Sequence, residues 1–181
     1  QLAKMEADLL LVGGDLTRDG SIHDFEFDAA KADFDSLPYQ YHVIPGNMDT
    51  GNKHTQIDGA SGRDDRRLNV TDGQLDNFMK FFGQFPWSFV HKEVRFSGFY
   101  AAVAGSGRPH EARMWDWLEN ELPSLPRAKH HVMTMHYPLF ITELDEQNRN
   151  HTIKEEYNDW YFSIDQPHRS RIFASFKASA V

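Results

Sequence analysis

Asp8-Leu9-Leu10-Leu11-Val12-Gly13-Gly14-Asp15 is the stretch that most narrows what this chain can fold into. Four apolar residues in succession describe a short strand covered on both faces, as in the sheet of an α/β domain. Two glycines end it and let the backbone turn sharply. Asp15 then lies just past the carboxyl end of a buried strand, where open α/β sheets bind their ligands. A carboxylate in that place is a hard oxygen donor for a metal ion. Taken alone, the stretch is equally an ordinary Gly-Asp turn.

Two further stretches repeat the arrangement. Tyr41-His42-Val43-Ile44 runs into Pro45-Gly46 and then Asn47-Met48-Asp49. His131-Val132-Met133-Thr134-Met135 runs into His136-Tyr137-Pro138, where proline stops the strand. Three strands each deliver a metal-competent side chain at the carboxyl end: Asp15, Asn47 and His136. Mixed oxygen and imidazole donors suit Mn, Fe, Zn or Ni.

Gly-Asp, then Gly-Asn-x-Asp, then His in a His-Tyr-Pro setting, in that order, resembles the calcineurin-like metallophosphoesterase superfamily. A helix carrying Trp117-Leu118 ahead of the third strand fits the same pattern. The later run Tyr161-Phe162-Ser163-Ile164, after a polar insertion, is similar to the branch typified by the calcineurin-like phosphoesterase domain-containing protein. The resemblance implies an α/β fold, a β-sandwich flanked by helices in α/β/β/α layers, as one domain over residues 1–181. It implies hydrolysis of phosphomonoesters or phosphodiesters by two divalent or mixed-valence ions, ~3.5–4 Å apart. Asp15 matches the residue that bridges both ions, and Asn47 and His136 match ligands of one. Asp49 matches an acidic residue that orients a histidine, but Met48 occupies that histidine's position, and methionine cannot transfer a proton. The superfamily's Asp-x-His and Gly-His-x-His motifs do not occur in these 181 residues. The expectation is therefore a domain incomplete at both ends, inactive by itself.

Composition sets the remaining bounds. The chain is 40% hydrophobic, enough for one cored domain, and contains no cysteine, so thiolate chemistry and disulfides are excluded. That favours a cytoplasmic setting. No apolar run is long enough to span a membrane. A net charge of −8 argues against binding along a nucleic acid backbone. The expected partner is a small phosphoester or a phosphoprotein. Two other classes stay open: a catalytically weak relative that holds a phosphorylated ligand or partner, and an α/β domain without metal.

The rest of the chain reads as scaffold. A helix starts at Ser21-Ile22-His23-Asp24 and should pack Ile22, Phe25, Ala29 and Ala32 on the sheet, with His23 solvated. Residues 50–70 read as a solvated loop holding Arg63-Asp64-Asp65-Arg66-Arg67, from which an arginine can reach a phosphate. His54 reads as a surface histidine or one that swings to the site. Thr71 to Gln74 has capping-box spacing before a stripe of Leu75, Phe78, Met79 and Phe82. Strands follow at 87–91 and 94–103 around a tight Lys92-Glu93 turn, and Gly105 to Pro109 reads as a break in the cleft wall. Residues 111–122 predict a helix ended by Pro123. His130 reads as structural. Residues 142–150 form a polar insertion, and Tyr157, Trp160, Tyr161 and Phe162 either anchor it or line the cleft. A last helix opens at Asp165-Gln166-Pro167, burying Ile172, Phe173 and Phe176.

Overall fold

A computed structural model describes residues 6–54 and 66–181. Strand β1 (Leu9–Val12), helix α1 (Asp24–Asp35) and strand β2 (Gln40–Val43) form the expected strand–helix–strand unit, with β1 and β2 parallel. Helix α2 (Asn47–Thr50) is a single turn directly after β2. Helix α3 (Asp72–Phe82) is capped as expected: Thr71 Oγ1 accepts from the Gln74 N–H, and the Gln74 side chain accepts from the Thr71 N–H. Strands β3 (Trp87–His91) and β4 (Val94–Gly98) make an antiparallel hairpin, turning on Lys92 and Glu93 at positive φ. Strand β5 (His130–Thr134) adds to β4 in parallel.

The two sheets meet through rings. His42 of β2 stacks on Phe89 of β3 at 3.8 Å between centroids. The Trp87 indole donates to the Val43 carbonyl across the same seam at 2.7 Å. β1 is half-buried along its length rather than enclosed on both faces.

The first helix turns a different side inward from the one expected. Ile22 and Phe25 are each 66% exposed, Ala29 and Ala32 face solvent, and Phe27 is buried. Phe27 meets Phe78, Phe81 and Phe82, so α1 packs this side against α3, while Phe34 keeps a contact with Tyr41 of β2. The aromatic partner lies about 50 residues away in sequence, so local spacing could not select it.

β4 stops at Gly98, five residues before the expected end. The chain then turns into a short 3-10 segment, Ala101–Val103, whose three residues are buried. The next helix begins earlier than expected, as α4 (Pro109–Asp116) with proline in its first turn. It widens into a π-helical turn over Trp117–Glu121 and closes as α5 (Leu122–Ser124). Trp115, Leu118 and Leu122 are buried on one face.

His130 is exposed. The structural histidine of β5 is its neighbour His131, which bonds Ser97 Oγ at 2.9 Å and the Ser179 carbonyl at 3.2 Å. Helix α6 (Tyr157–Tyr161) and helix α7 (His168–Ala178) complete the chain. α7 buries Arg169, Ile172 and Ser175, leaving Phe173 and Phe176 only partly covered.

Arg169 explains how a polar insertion is held. Its side chain is almost wholly enclosed and donates to the carbonyls of Ile164, Leu144 and Glu146. Glu146 lies against it and accepts from the N–H groups of Ile141 and Thr142 and from the Thr142 hydroxyl. Burial raises the Glu146 pKa, but those donors outweigh it and hold the carboxyl down at about 2. A carboxylate depressed in the folded state stabilises above its ordinary value of 4.5, and that stability is lost as pH falls toward about 2. Glu146→Gln should therefore lower the urea midpoint at pH 6 and flatten the acid limb between about pH 4.5 and 3. Parallel acid limbs in the two proteins would contradict this.

Candidate metal centre

Two close backbone approaches build the site. Gly14 (φ 101°) and Asp15 (φ 55°) bring the chain leaving β1 against the loop leaving β2. A Cβ on Gly14 would lie 2.6 Å from the Gly46 nitrogen and 2.7 Å from His136 Nδ1. A Cβ on Gly46 would lie 2.2 Å from Asp15 Oδ1. A larger residue at Gly14 would displace Gly46 or His136, and one at Gly46 would displace Asp15.

Those three side chains converge. His136 Nε2 is 3.0 Å from Asn47 Oδ1 and 3.5 Å from Asp15 Oδ1. Donors on one ion at bond lengths of ~2.0–2.2 Å stand ~3.0–3.5 Å apart, so both separations are those of ligands sharing an ion. His136 Nδ1 lies 2.8 Å from the Gly13 carbonyl, a contact that places the proton on Nδ1 in the neutral ring. Nε2 then turns a lone pair toward Asn47 Oδ1. An Nε2 lone pair facing Oδ1 at 3.0 Å is satisfied by a cation between them, and equally by the amide turned so that its N–H donates to Nε2. The Met48 N–H donates to Asp15 Oδ1 at 3.1 Å and holds that carboxylate in place. The trio fits a divalent ion, with an amide oxygen as its third donor. Among the described residues, no group of three or more His, Cys, Asp or Glu side chains could hold a metal without such help.

Asp49 plays a different part from the one the resemblance implied. Its carboxylate is fully buried and accepts from the N–H groups of Gly46, Leu16 and Thr17 and from the Thr17 hydroxyl. Burial pushes its pKa up while these bonds pull it back, with a net rise. Both oxygens are taken, so Asp49 ties the Asp15 loop to the Asn47 loop and has no oxygen left for a side chain at position 48.

A cleft of about 530 Å³ opens on Asp15 and Asn47. Met48, Ile22, Leu68 and Phe162 supply its apolar wall, and Arg18 and Arg67 its cationic groups. Of the charge cluster, Arg67 borders the cleft, while Arg63, Asp64 and Asp65 lie outside the described residues. The aromatic run divides between both readings: Trp160 and Tyr161 are buried anchors, while Tyr161 and Phe162 also border the cleft. His54, Gly105 and Arg108 do not line it. His54 and Gly105 border a separate cavity, and Arg108 pairs with Asp72 at 3.4 Å. His23 is exposed. Position 49's tie was missed because hydrogen bonds 32 and 33 residues apart leave no mark on local spacing.

Three strand ends thus bring an aspartate, an asparagine and a histidine together, and two of them, Asp15 and Asn47, border the cleft. The chain matches the calcineurin-like phosphoesterase family over residues 1–168 and belongs to it. That family is hydrolytic and generally uses a dinuclear metal centre. No curated protein matches the chain. Among the described residues, no helix is long and apolar enough to cross a membrane.

If Asp49 sets the spacing of Asp15 and Asn47, Asp49→Asn should weaken Mn binding roughly 10–100-fold. Calorimetric titration of the metal, beside a thermal melt in chelator, measures this. A lowered melting temperature with unchanged affinity would leave Asp49 a purely structural residue.

Proposed function

We propose that this centre hydrolyses phosphoesters, with divalent ions held by Asp15, Asn47 and His136. The convergence of those donors at ligand-to-ligand distances carries the reading. Ions bound there supply Lewis-acid polarisation of the phosphoryl oxygens and lower the pKa of an attacking water. The substrate is a phosphoester offered by a small molecule or by a phosphoprotein. Arg18 and Arg67 give the phosphoryl group cationic partners at the cleft. Asp15, held by the Met48 N–H, keeps its charge pointed at the same lip. His136, held by Gly13, keeps Nε2 beside Asn47 Oδ1.

Replacing Asp15 by Asn removes the one formal negative charge among the three donors. Asp15→Asn should lower turnover of an aryl phosphate with added Mn by orders of magnitude and reduce bound metal, while the melting temperature in chelator stays close to that of the parent. Turnover within a few-fold at saturating metal would sink the assignment.

Met48 shapes which ester is cleaved. It borders the cleft beside Asn47, and no histidine lines the described part of that cleft. Asp19, which does, is ion-paired with Arg18 at 3.5 Å. Without a donor the departing oxygen leaves unprotonated, which a phenolate tolerates and a sugar or serine alkoxide does not. Apolar neighbours at Ile22, Leu68 and Met48 also suit an aromatic leaving group. The rate should thus depend steeply on leaving-group pKa. Met48→His should accelerate alkyl esters more than aryl ones, by part of the ~10²–10⁴-fold that acid assistance provides. Only part is expected, because Asp49 is not free to orient the new imidazole. The measurement is kcat/KM across a phosphoester series at one pH and one metal, and equal slopes in both proteins would mean that another group already protonates the leaving oxygen.

A further inference from the structure

Three large apolar residues on the border of the strand-end cleft stay open to water: Ile22 is 66% exposed, Leu68 41% and Phe162 44%. Such side chains scattered singly over a surface mean little, but gathered at one opening they mark a place where something apolar binds. Arg18 borders the same opening, with its side chain 88% exposed. The mouth of the centre thus offers apolar contact and positive charge together. A phosphoryl group uses the charge and has no use for the apolar rim.

A second hollow, of about 350 Å³, adjoins the cleft, and Ser21 and Gln74 border both. Every described residue around it is polar or glycine, Thr71, Gly73 and Asn77 among them. An aryl phosphate of one ring has nothing to place there. A substrate that uses both spaces carries an apolar group next to its phosphate and a hydrogen-bonding chain beyond it. A polypeptide main chain, with a donor and an acceptor at each residue, has that character.

Leaving-group chemistry selects the residue. Met48 beside Asn47 donates no proton, and no histidine lines the described part of the cleft, so the departing oxygen must leave as a stable anion. Among the phosphoesters that polypeptides carry, that of tyrosine has such a leaving group, since a phenol ionises at about 10. Serine and threonine leave as far more basic alkoxides. A phosphoanhydride also departs without a proton, but its leaving group is a polyanion, which the apolar wall of Ile22, Met48, Leu68 and Phe162 disfavours.

We propose that the substrate of this centre is a phosphotyrosyl segment of a polypeptide, its ring against that apolar wall and its main chain in the polar hollow. The proposal rests on the phosphoesterase reading above and names its substrate. The bond from phosphorus to the tyrosine oxygen breaks as one from phosphorus to a water oxygen forms. The electron pair leaves on the phenolate, which takes its proton from solvent, and the products are tyrosine and inorganic phosphate.

The test uses the full chain with added Mn. Rates are measured on nitrophenyl phosphate, free phosphotyrosine, a phosphotyrosyl peptide and the same peptide with phosphoserine. Calorimetry with a peptide carrying the non-hydrolysable difluoromethylene phosphonate of tyrosine reads binding without turnover. The phosphotyrosyl peptide should exceed the phosphoserine peptide at least ~100-fold in kcat/KM. It should exceed free phosphotyrosine at least ~10-fold, and Phe162→Ser should weaken the phosphonate peptide by a similar factor, as burial of one apolar side chain gives. A Cβ at Gly73 meets nothing within 4 Å, so Gly73→Trp fills the polar hollow without a clash. It should lower the ratio of peptide to nitrophenyl phosphate turnover and weaken the phosphonate peptide, and a thermal melt of each variant confirms folding. Turnover of nitrophenyl phosphate with no preference for the peptide over free phosphotyrosine, or with phosphoserine cleaved as fast, would overturn the substrate and leave the phosphoesterase reading standing. Phosphonate binding that survives both substitutions would overturn it too. No turnover of any ester with metal bound would overturn both readings.

Discussion

The buried carboxylate of Asp49 is the interaction on which the geometry of this protein turns. Two loops leave parallel strands β1 and β2 at the same end of the sheet, and nothing in the strand pairing obliges them to stay in register beyond it. Asp49 supplies that constraint by taking four hydrogen bonds, three from backbone N–H groups on both loops. A buried charge is costly unless its hydrogen bonds are made, so the carboxylate holds the loops together or not at all. Gly14 and Gly46 then permit the approach that Asp49 enforces, since a Cβ on either would strike the other loop or His136. The donor trio is the product of both conditions.

The parts of this architecture visible in the sequence are those that depend on neighbours along the chain. Apolar runs ended by glycine or proline marked β1, β2 and β5, and the polar residue at each end marked the centre. Thr71 and Gln74 announced the start of α3 because a capping box is closed within four residues. The family pattern rested on the same local words, and the match over residues 1–168 agrees with it.

What stayed hidden depends on contacts distant in sequence. Helix α1 offers two nearly equivalent apolar stripes, and Phe27 was chosen by Phe78, Phe81 and Phe82 of α3. Arg169 carries no sign in its local spacing that the carbonyls of Leu144, Glu146 and Ile164 will surround it. His131 and His130 differ by one position, and the side facing Ser97 and Ser179 is settled only when β5 docks on β4. Asp49 belongs to this group too: its motif was legible, but its partners lie on another strand's loop.

The segment around α6 shows why one stretch of sequence supported two opposed readings. Trp160 and Tyr161 are adjacent and both buried, yet they face different spaces. Tyr161 donates to Asn52 Oδ1 at 2.7 Å on the cleft side, while the Trp160 ring lies 4.5 Å from Lys53 Nζ on the cavity side. The same pairing recurs one wall across, where Asn52 and Lys53 also divide between the two spaces. The double wall is pinned by one hydroxyl–amide bond on the cleft side and by one ammonium held by three oxygens on the other. Anchoring the insertion and shaping the cleft are therefore one structural task performed by the two faces of the same short helix.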